Sequence, residues 1–271
     1  MESIKARQRQ HYDLRAQEYE SKTRRSAYSR VLRSTVNPWV ARLSGRRVLD
    51  LGCGPGIVTE RMAAGGCGVI GLDISMQFVR RARERANSHG AIGWVQGDAE
   101  RLPFSDGALG AVISVGTLHH LPHPERAVAE ATRVLGDGGW MIARETNATP
   151  YRSALDFYDV LIPSWARSKM EWWRDKRRKR SEAENDEFHV GIRTCAQYRE
   201  FFARVGMQVR VSTQTLPLFP FSLLGLHRHD VTWRVVAWVS DVLALAFPSL
   251  RDKGWAQIID AQKGAADAIR G

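Results

Sequence analysis

The chain has 271 residues, 44% of them hydrophobic and 25% charged, with a formal net charge of +11. Those values support one decorated domain with a sizeable core and exclude wholesale disorder. Three cysteines, Cys53, Cys67 and Cys195, are odd in number and form no CxxC pair, which argues against a disulfide framework or a structural metal and fits a reducing, cytoplasmic compartment.

The positive charge is unevenly spread. Residues 1–47 carry 12 Lys or Arg against 4 acids, and the block RDKRRKR at 174–180 runs directly into the acidic SEAENDE. The bland reading is two solvated faces; the alternative is a polyanion site. Aromatics are not interleaved with the 174–180 block as a single-strand binding groove would require, so nucleic acid is the weaker expectation. The first residues lack the apolar run of a secretory signal, and no segment reaches the roughly 18 apolar residues of a membrane span.

In chain order, residues 2–43 read as two polar helices ending near Ser44-Gly45. Alternation follows: a strand at 47–51, a helix at 57–64, a strand at 68–74, a basic helix at 76–88 and a strand at 92–96. Beyond a loop of turn formers come a strand at 109–115, a helix at 124–135 and a strand at 138–146. Strands alternating with helices imply a parallel sheet covered on both faces. The block 147–191 is helical in character and marked by Trp165, Trp172 and Trp173. A helix at 194–205 and a strand at 207–213 resume the pattern. An apolar, aromatic block at 216–250 precedes a last strand-like segment, WAQIIDAQK, at 255–263.

The first strand-to-helix turn reads DLGCGPG, and in an open parallel sheet that turn lies where ligands gather. Gly52, Gly54 and Gly56 let the backbone turn tightly and approach a ligand closely. A dinucleotide fingerprint would carry a further glycine that this loop lacks: Ile57 follows Gly56, and Pro55 removes an amide that a phosphate would use. The loop therefore suits a cofactor without phosphate, whose amino-acid end meets Asp50 and the backbone.

With VLDLGCGPG, GLDIS, GDAERLPFSDGALGAVIS and LHHLPHPERAVAEATRVLGDGG in this order, the chain resembles the class I S-adenosylmethionine methyltransferases. The nearer likeness is to the subgroup of ubiquinone, menaquinone and small-molecule enzymes. The resemblance covers residues 48–146. It implies a Rossmann-like α/β fold with a seven-stranded sheet, mostly parallel and with the last strand antiparallel, flanked by helices. It also implies S-adenosylmethionine as cofactor, with S-adenosylhomocysteine as product. The division it suggests is an N-terminal helical cap over 1–45, a cofactor-binding core over 46–146, 192–215 and 254–264, and helical lid insertions over 147–191 and 216–253.

On the same likeness, Gly52, Cys53 and Gly54 line the cofactor, Asp73 accepts the ribose hydroxyls with Ile74 beside it, and Asp98 meets the adenine amino group next to the Ala99 amide. Val115 closes the pocket from the fourth strand. Tyr19, in an A..Y pattern with Ala16, covers the cofactor or else packs within its helix. His120 and His119 follow the fourth strand and Glu145 ends the fifth; an O-methyltransferase of the subgroup uses such a His as base and such an acid to orient it.

The acceptor is read from the two blocks. Val231, Val235, Trp238, Val239, Val242 and Phe247 fall mostly on one helical face, with His227, Arg228 and His229 at its start. That face either seals the lid's own core, walls a bulky apolar substrate, or rests on a membrane surface or on a second copy of the chain. The expectation is methyl transfer to oxygen or carbon of a large, partly apolar small molecule of secondary metabolism. The alternative is a modifier of RNA or a lipid surface.

Overall fold

A computed structural model describes residues 4–25, 27–86, 92–148, 191–214 and 256–264. Most of the two expected insertions therefore lies outside the described residues. So do the 174–180 basic block, the 231–247 stripe, and His227, Arg228 and His229; Asn147, Ala148 and Gly191 are described.

Two helices, α1 (Ile4–Arg25) and α2 (Ala27–Leu43), precede the sheet. The core then alternates β1 (Arg47–Leu51), α3 (Ile57–Ala64), β2 (Gly68–Asp73), α4 (Met76–Arg85), β3 (Ile92–Gln96), β4 (Leu109–Val115), α5 (Pro124–Val134) and β5 (Leu135–Thr146). It closes with α6 (Cys195–Arg204), β6 (Met207–Gln214) and β7 (Ala256–Lys263). The strand order is β3-β2-β1-β4-β5-β7-β6. Pairs from β3 to β5 are parallel, while β7 runs antiparallel to both β5 and β6, so the expected sheet is present, with its last strand inserted beside the sixth.

Local chemistry explains the boundaries. The Ser75 hydroxyl accepts the Phe78 amide and starts α4, Pro124 opens α5, and Thr194 with Gln197 forms a reciprocal capping box on α6. The apolar runs of β1 and β4 are buried because helices cover both faces. One core joins β4, β5, α5 and α6 through Val112, Met141, Val128, Tyr198 and Phe202; the other joins α2 and α3 to the opposite face through Trp39, Leu43, Met62 and Ile113. A fully buried side chain such as Phe202 contributes about 1.5–3 kcal/mol.

Three expectations are corrected. The second N-terminal helix is not polar, since Val36, Trp39, Val40 and Leu43 form a buried stripe on it. The fifth strand starts at Leu135 rather than 138, because Leu135 pairs with Leu109 ahead of a register shift that absorbs the glycines. The basic helix ends at Arg85, where the Ala86 amide closes on the Ala82 carbonyl.

Candidate active site

Because β3, β2, β1 and β4 are neighbours, their carboxyl ends stand side by side, and a cleft of about 380 Å³ opens along them. Its floor is the glycine loop. At Gly52 the backbone has φ +72°, and a Cβ there would collide with the Thr117 side chain, so the loop sits against the β4 turn only because this position is bare. The Gly52 and Cys53 amides donate to the Leu72 carbonyl, at 2.8 and 3.0 Å.

Two carboxylates face this floor. Asp50 is only 2% exposed and its Oδ2 accepts the Thr59 hydroxyl at 2.6 Å. Burial, with Asp73 nearby and against the Thr59 hydrogen bond, pushes its pKa up to about 7. Asp73, at the end of β2, accepts the Gly54 amide at 2.8 Å and the Ser75 amide at 2.9 Å. Burial outweighs these amides and pushes it up to about 6. Ionising either group in this setting calls for a cationic or hydrogen-bond-donating ligand. Asp98, Ala99, Ile74, Cys53 and Val115 line the same cleft.

The roof is α1. Lys5, Gln8, Tyr12, Arg15 and Tyr19 recur at spacings of three and four along one helical face, and all line the cleft. Tyr19 is 46% exposed and meets Phe78 edge-on at 5.5 Å between centroids, so it forms the rim. Tyr12 reaches further in and lies 6.0 Å from the His120 ring.

The three residues expected to be catalytic separate. His120 lines the cleft; His119 and Glu145 stand behind its wall. Glu145 has no exposure and accepts the Thr117 amide at 3.0 Å, the Leu118 amide at 2.9 Å and His119 Nδ1 at 2.6 Å. The His119 ring in turn lies 4.0 Å from that of His120. Glu145 therefore fixes the turn that presents His120, while the Gln8 amide holds the His120 carbonyl at 2.6 Å from the α1 side.

A sequence family described as a methyltransferase domain matches residues 49–143, the span from β1 to β5 that builds this floor. Residues 49–143 thus carry a methyltransferase domain. Among curated proteins, the domain is 33% identical over 114 residues to the ubiquinone biosynthesis O-methyltransferase of Bordetella pertussis, covering 40% of this chain and 46% of that one. It is 31% identical over 129 residues to the demethylmenaquinone methyltransferase of Clavibacter sepedonicus, covering 48% and 53%. It is 36% identical over 104 residues to a phthiotriol/phenolphthiotriol dimycocerosates methyltransferase of Mycobacterium ulcerans, covering 37% of each. The chain thus spans about half or less of the length of these relatives.

Among solved structures, the fold resembles an S-adenosylmethionine dependent methyltransferase from Archaeoglobus fulgidus, with a TM-score of 0.59 at 17% identity over 90% of this chain and 98% of that one. It also resembles the [4+2]-cyclase SpnF, with a TM-score of 0.59 at 21% identity over 95% of both chains. The methyltransferase domain fold thus hosts more than one chemistry, and the reaction has to be argued from the site.

The α1 face escaped the sequence reading except for Tyr19. Its signal was present in the spacing of Lys5, Gln8, Tyr12 and Arg15, but a polar stripe of that period reads equally as a solvent face.

Proposed function

We propose that the chain transfers the methyl group of S-adenosylmethionine to an oxygen or carbon of a bulky, partly apolar small molecule in secondary metabolism. The observation that carries this reading is the single cleft in which the glycine loop, two buried carboxylates leaning toward neutrality, and His120 meet. The donor set fits the cofactor. Asp50 would take its ammonium group, Asp73 its ribose hydroxyls, and Asp98 with the Ala99 amide its adenine, with Cys53, Ile74, Val115 and Tyr19 as walls. A phosphate would bring neither the cation nor the hydrogen-bond donors that these acids accept when ionised. When bound, S-adenosylmethionine supplies a methyl group made electrophilic by its sulfonium.

His120 would accept the proton of a hydroxyl acceptor; its position on the cleft, with His119 and Glu145 packed behind it, supports that role. The quinone and lipid methyltransferases among the relatives support an acceptor with a large apolar body. Among the described residues the RNA or lipid-surface reading draws less support, because Lys5 and Arg42 of the N-terminal helices, like Arg81 and Arg85 of α4, are engaged by acidic side chains.

The test is methyl transfer from labelled S-adenosylmethionine to a panel of hydroxylated and unsubstituted polyprenyl quinols, with the cofactor saturating. For an O-methylated acceptor, His120→Ala should lower kcat by about 10²–10⁴-fold. Unchanged turnover of that acceptor by the variant would remove His120 as the base.

A further inference from the structure

Trp94 lies on β3, the edge strand, directly beside Gly71 of β2. Its indole crosses that bare neighbour: a Cβ on Gly71 would stand 2.7 Å from Trp94 Cζ3, 2.8 Å from Trp94 Cε3 and 3.1 Å from Cys53 Sγ. The far side of the same ring reaches the glycine loop, where a Cβ on Gly56 would stand 2.8 Å from Trp94 Cη2 and 3.1 Å from the Ala82 Cβ of α4. Neither position could hold a side chain with the ring in place, so the indole takes up the room that two absent side chains leave.

Among the described hydrogen bonds, those that fasten the loop to β2 lie in its first half: the Gly52 and Cys53 amides reach the Leu72 carbonyl, and the Gly54 amide reaches Asp73. At Gly56 the bonds run within the loop, to the Cys53 carbonyl at 3.0 Å, and into α3, from the Glu60 amide at 2.9 Å. The indole fills the space between this end and the sheet, and Cys53, Gly54 and Pro55, between the two fastenings, line the cleft. A rigid ring of large contact area sets a fixed separation between the two. We propose that Trp94 is a positioning residue of the cofactor site, whose indole fixes how far the glycine-loop backbone stands from the ligand. The proposal rests on reading the cleft as the S-adenosylmethionine site.

A tryptophan that served only the general packing of the edge strand would, once removed, loosen both cores alike. One that holds the loop would release Cys53 first, because that thiol closes on the same bare Gly71 as the ring, whereas Cys195 lies in one core and Cys67 in the other.

The experiment measures the dissociation constant of S-adenosylhomocysteine for the full chain and for Trp94→Leu, Gly71→Ala and the Trp94→Leu/Gly71→Ala double variant, with peptide-resolved alkylation of the three thiols by iodoacetamide in the ligand-free chains. Gly71 lacks the left-handed backbone of Gly56, so alanine there tests the contact with the ring rather than the backbone. Trp94→Leu should raise the dissociation constant about tenfold, the loss of one or two hydrogen bonds to the ligand, and should quicken alkylation of Cys53 well beyond that of Cys67 and Cys195. Gly71→Ala should weaken binding in the parent and add little on the Trp94→Leu background, as two residues in contact require. A folded Trp94→Leu chain that keeps the parent's affinity overturns the proposal. So does alkylation that quickens equally at all three thiols, and so do equal losses from Gly71→Ala on both backgrounds. Should Trp94→Leu not fold, a Gly71→Ala chain with the parent's affinity overturns it equally. Absence of S-adenosylhomocysteine binding by the parent instead overturns the reading of the cleft, while the alkylation rates still decide whether Trp94 holds the loop.

Discussion

Gly52 and Gly54 belong to one loop but carry different constraints. Gly52 combines φ +72° with a collision between any Cβ and Thr117, whereas at Gly54, with φ +48°, a Cβ meets nothing within 4 Å among the described residues beyond its chain neighbours. Left-handed backbone alone costs about 1–2 kcal/mol for an L residue, so Gly54→Ala should lose about that much in urea unfolding. Gly52→Ala should lose clearly more, and equal losses would show that the Thr117 contact is not what holds the loop. Behind the cleft, Glu145→Ala would leave the Thr117 and Leu118 amides and His119 without their acceptor. With about 1–3 kcal/mol for each buried group left unsatisfied, the expected loss is at least about 3 kcal/mol in the same measurement. A loss under about 1 kcal/mol would mean that water replaces the carboxylate. Asp50, Asp73 and Asp98 were legible because each stands at a strand end marked by glycine or small residues. The division of labour between His119 and His120 was not, since adjacent residues of one sequence reveal nothing of which ring turns outward.

At the scale of elements, α1 is a roof fastened at several points along its length. Lys5 meets Asp98 and Glu100, Gln8 meets the His120 carbonyl, and Asp13 accepts the Ser75 hydroxyl at 2.5 Å and the Gln77 amide at 3.1 Å. Glu20 closes the far end through Arg81 and Arg85. Asp13 thereby adds to the cap on α4, and Asp13→Ala should cost about 1 kcal/mol, the typical value of a lost N-cap acceptor. Hydrogen exchange should quicken at Gln77 in that variant; unaltered exchange there would contradict the capping role. The strands of the sheet were legible because buried parallel strands are short continuous apolar runs bounded by turn residues. The start of β5 was not, because a stretch of three glycines between Leu135 and Trp140 reads as a turn, yet the pairing with Leu109 carries it into the sheet. The place of α1 was illegible for a related reason: a helix whose inner face lines a polar cleft has no apolar stripe to show where it docks.

Over the whole molecule, the cleft sets a pH dependence with a definite sign. Asp50 and Asp73 have pKa values raised to about 7 and about 6, so between about pH 4 and pH 7 these two sites hold more protons in the native ligand-free chain than in the unfolded chain. Their contribution to stability is therefore largest in acid and falls as pH rises through that window. Asp50→Asn should flatten the decline seen in urea unfolding at successive pH values, and an unchanged slope would exclude Asp50 as its source. A ligand that sets an ammonium group and hydroxyl donors against these acids must drive their protons off.

The most direct test of the cleft as a cofactor site is calorimetric titration of the full chain with S-adenosylhomocysteine in buffers of different ionisation enthalpy. One site should bind with release of about one proton near pH 6.5, and the release should vanish near pH 8.5 where both acids are already ionised. Absence of binding, or binding with no proton release at either pH, would contradict the placing of the cofactor against Asp50 and Asp73.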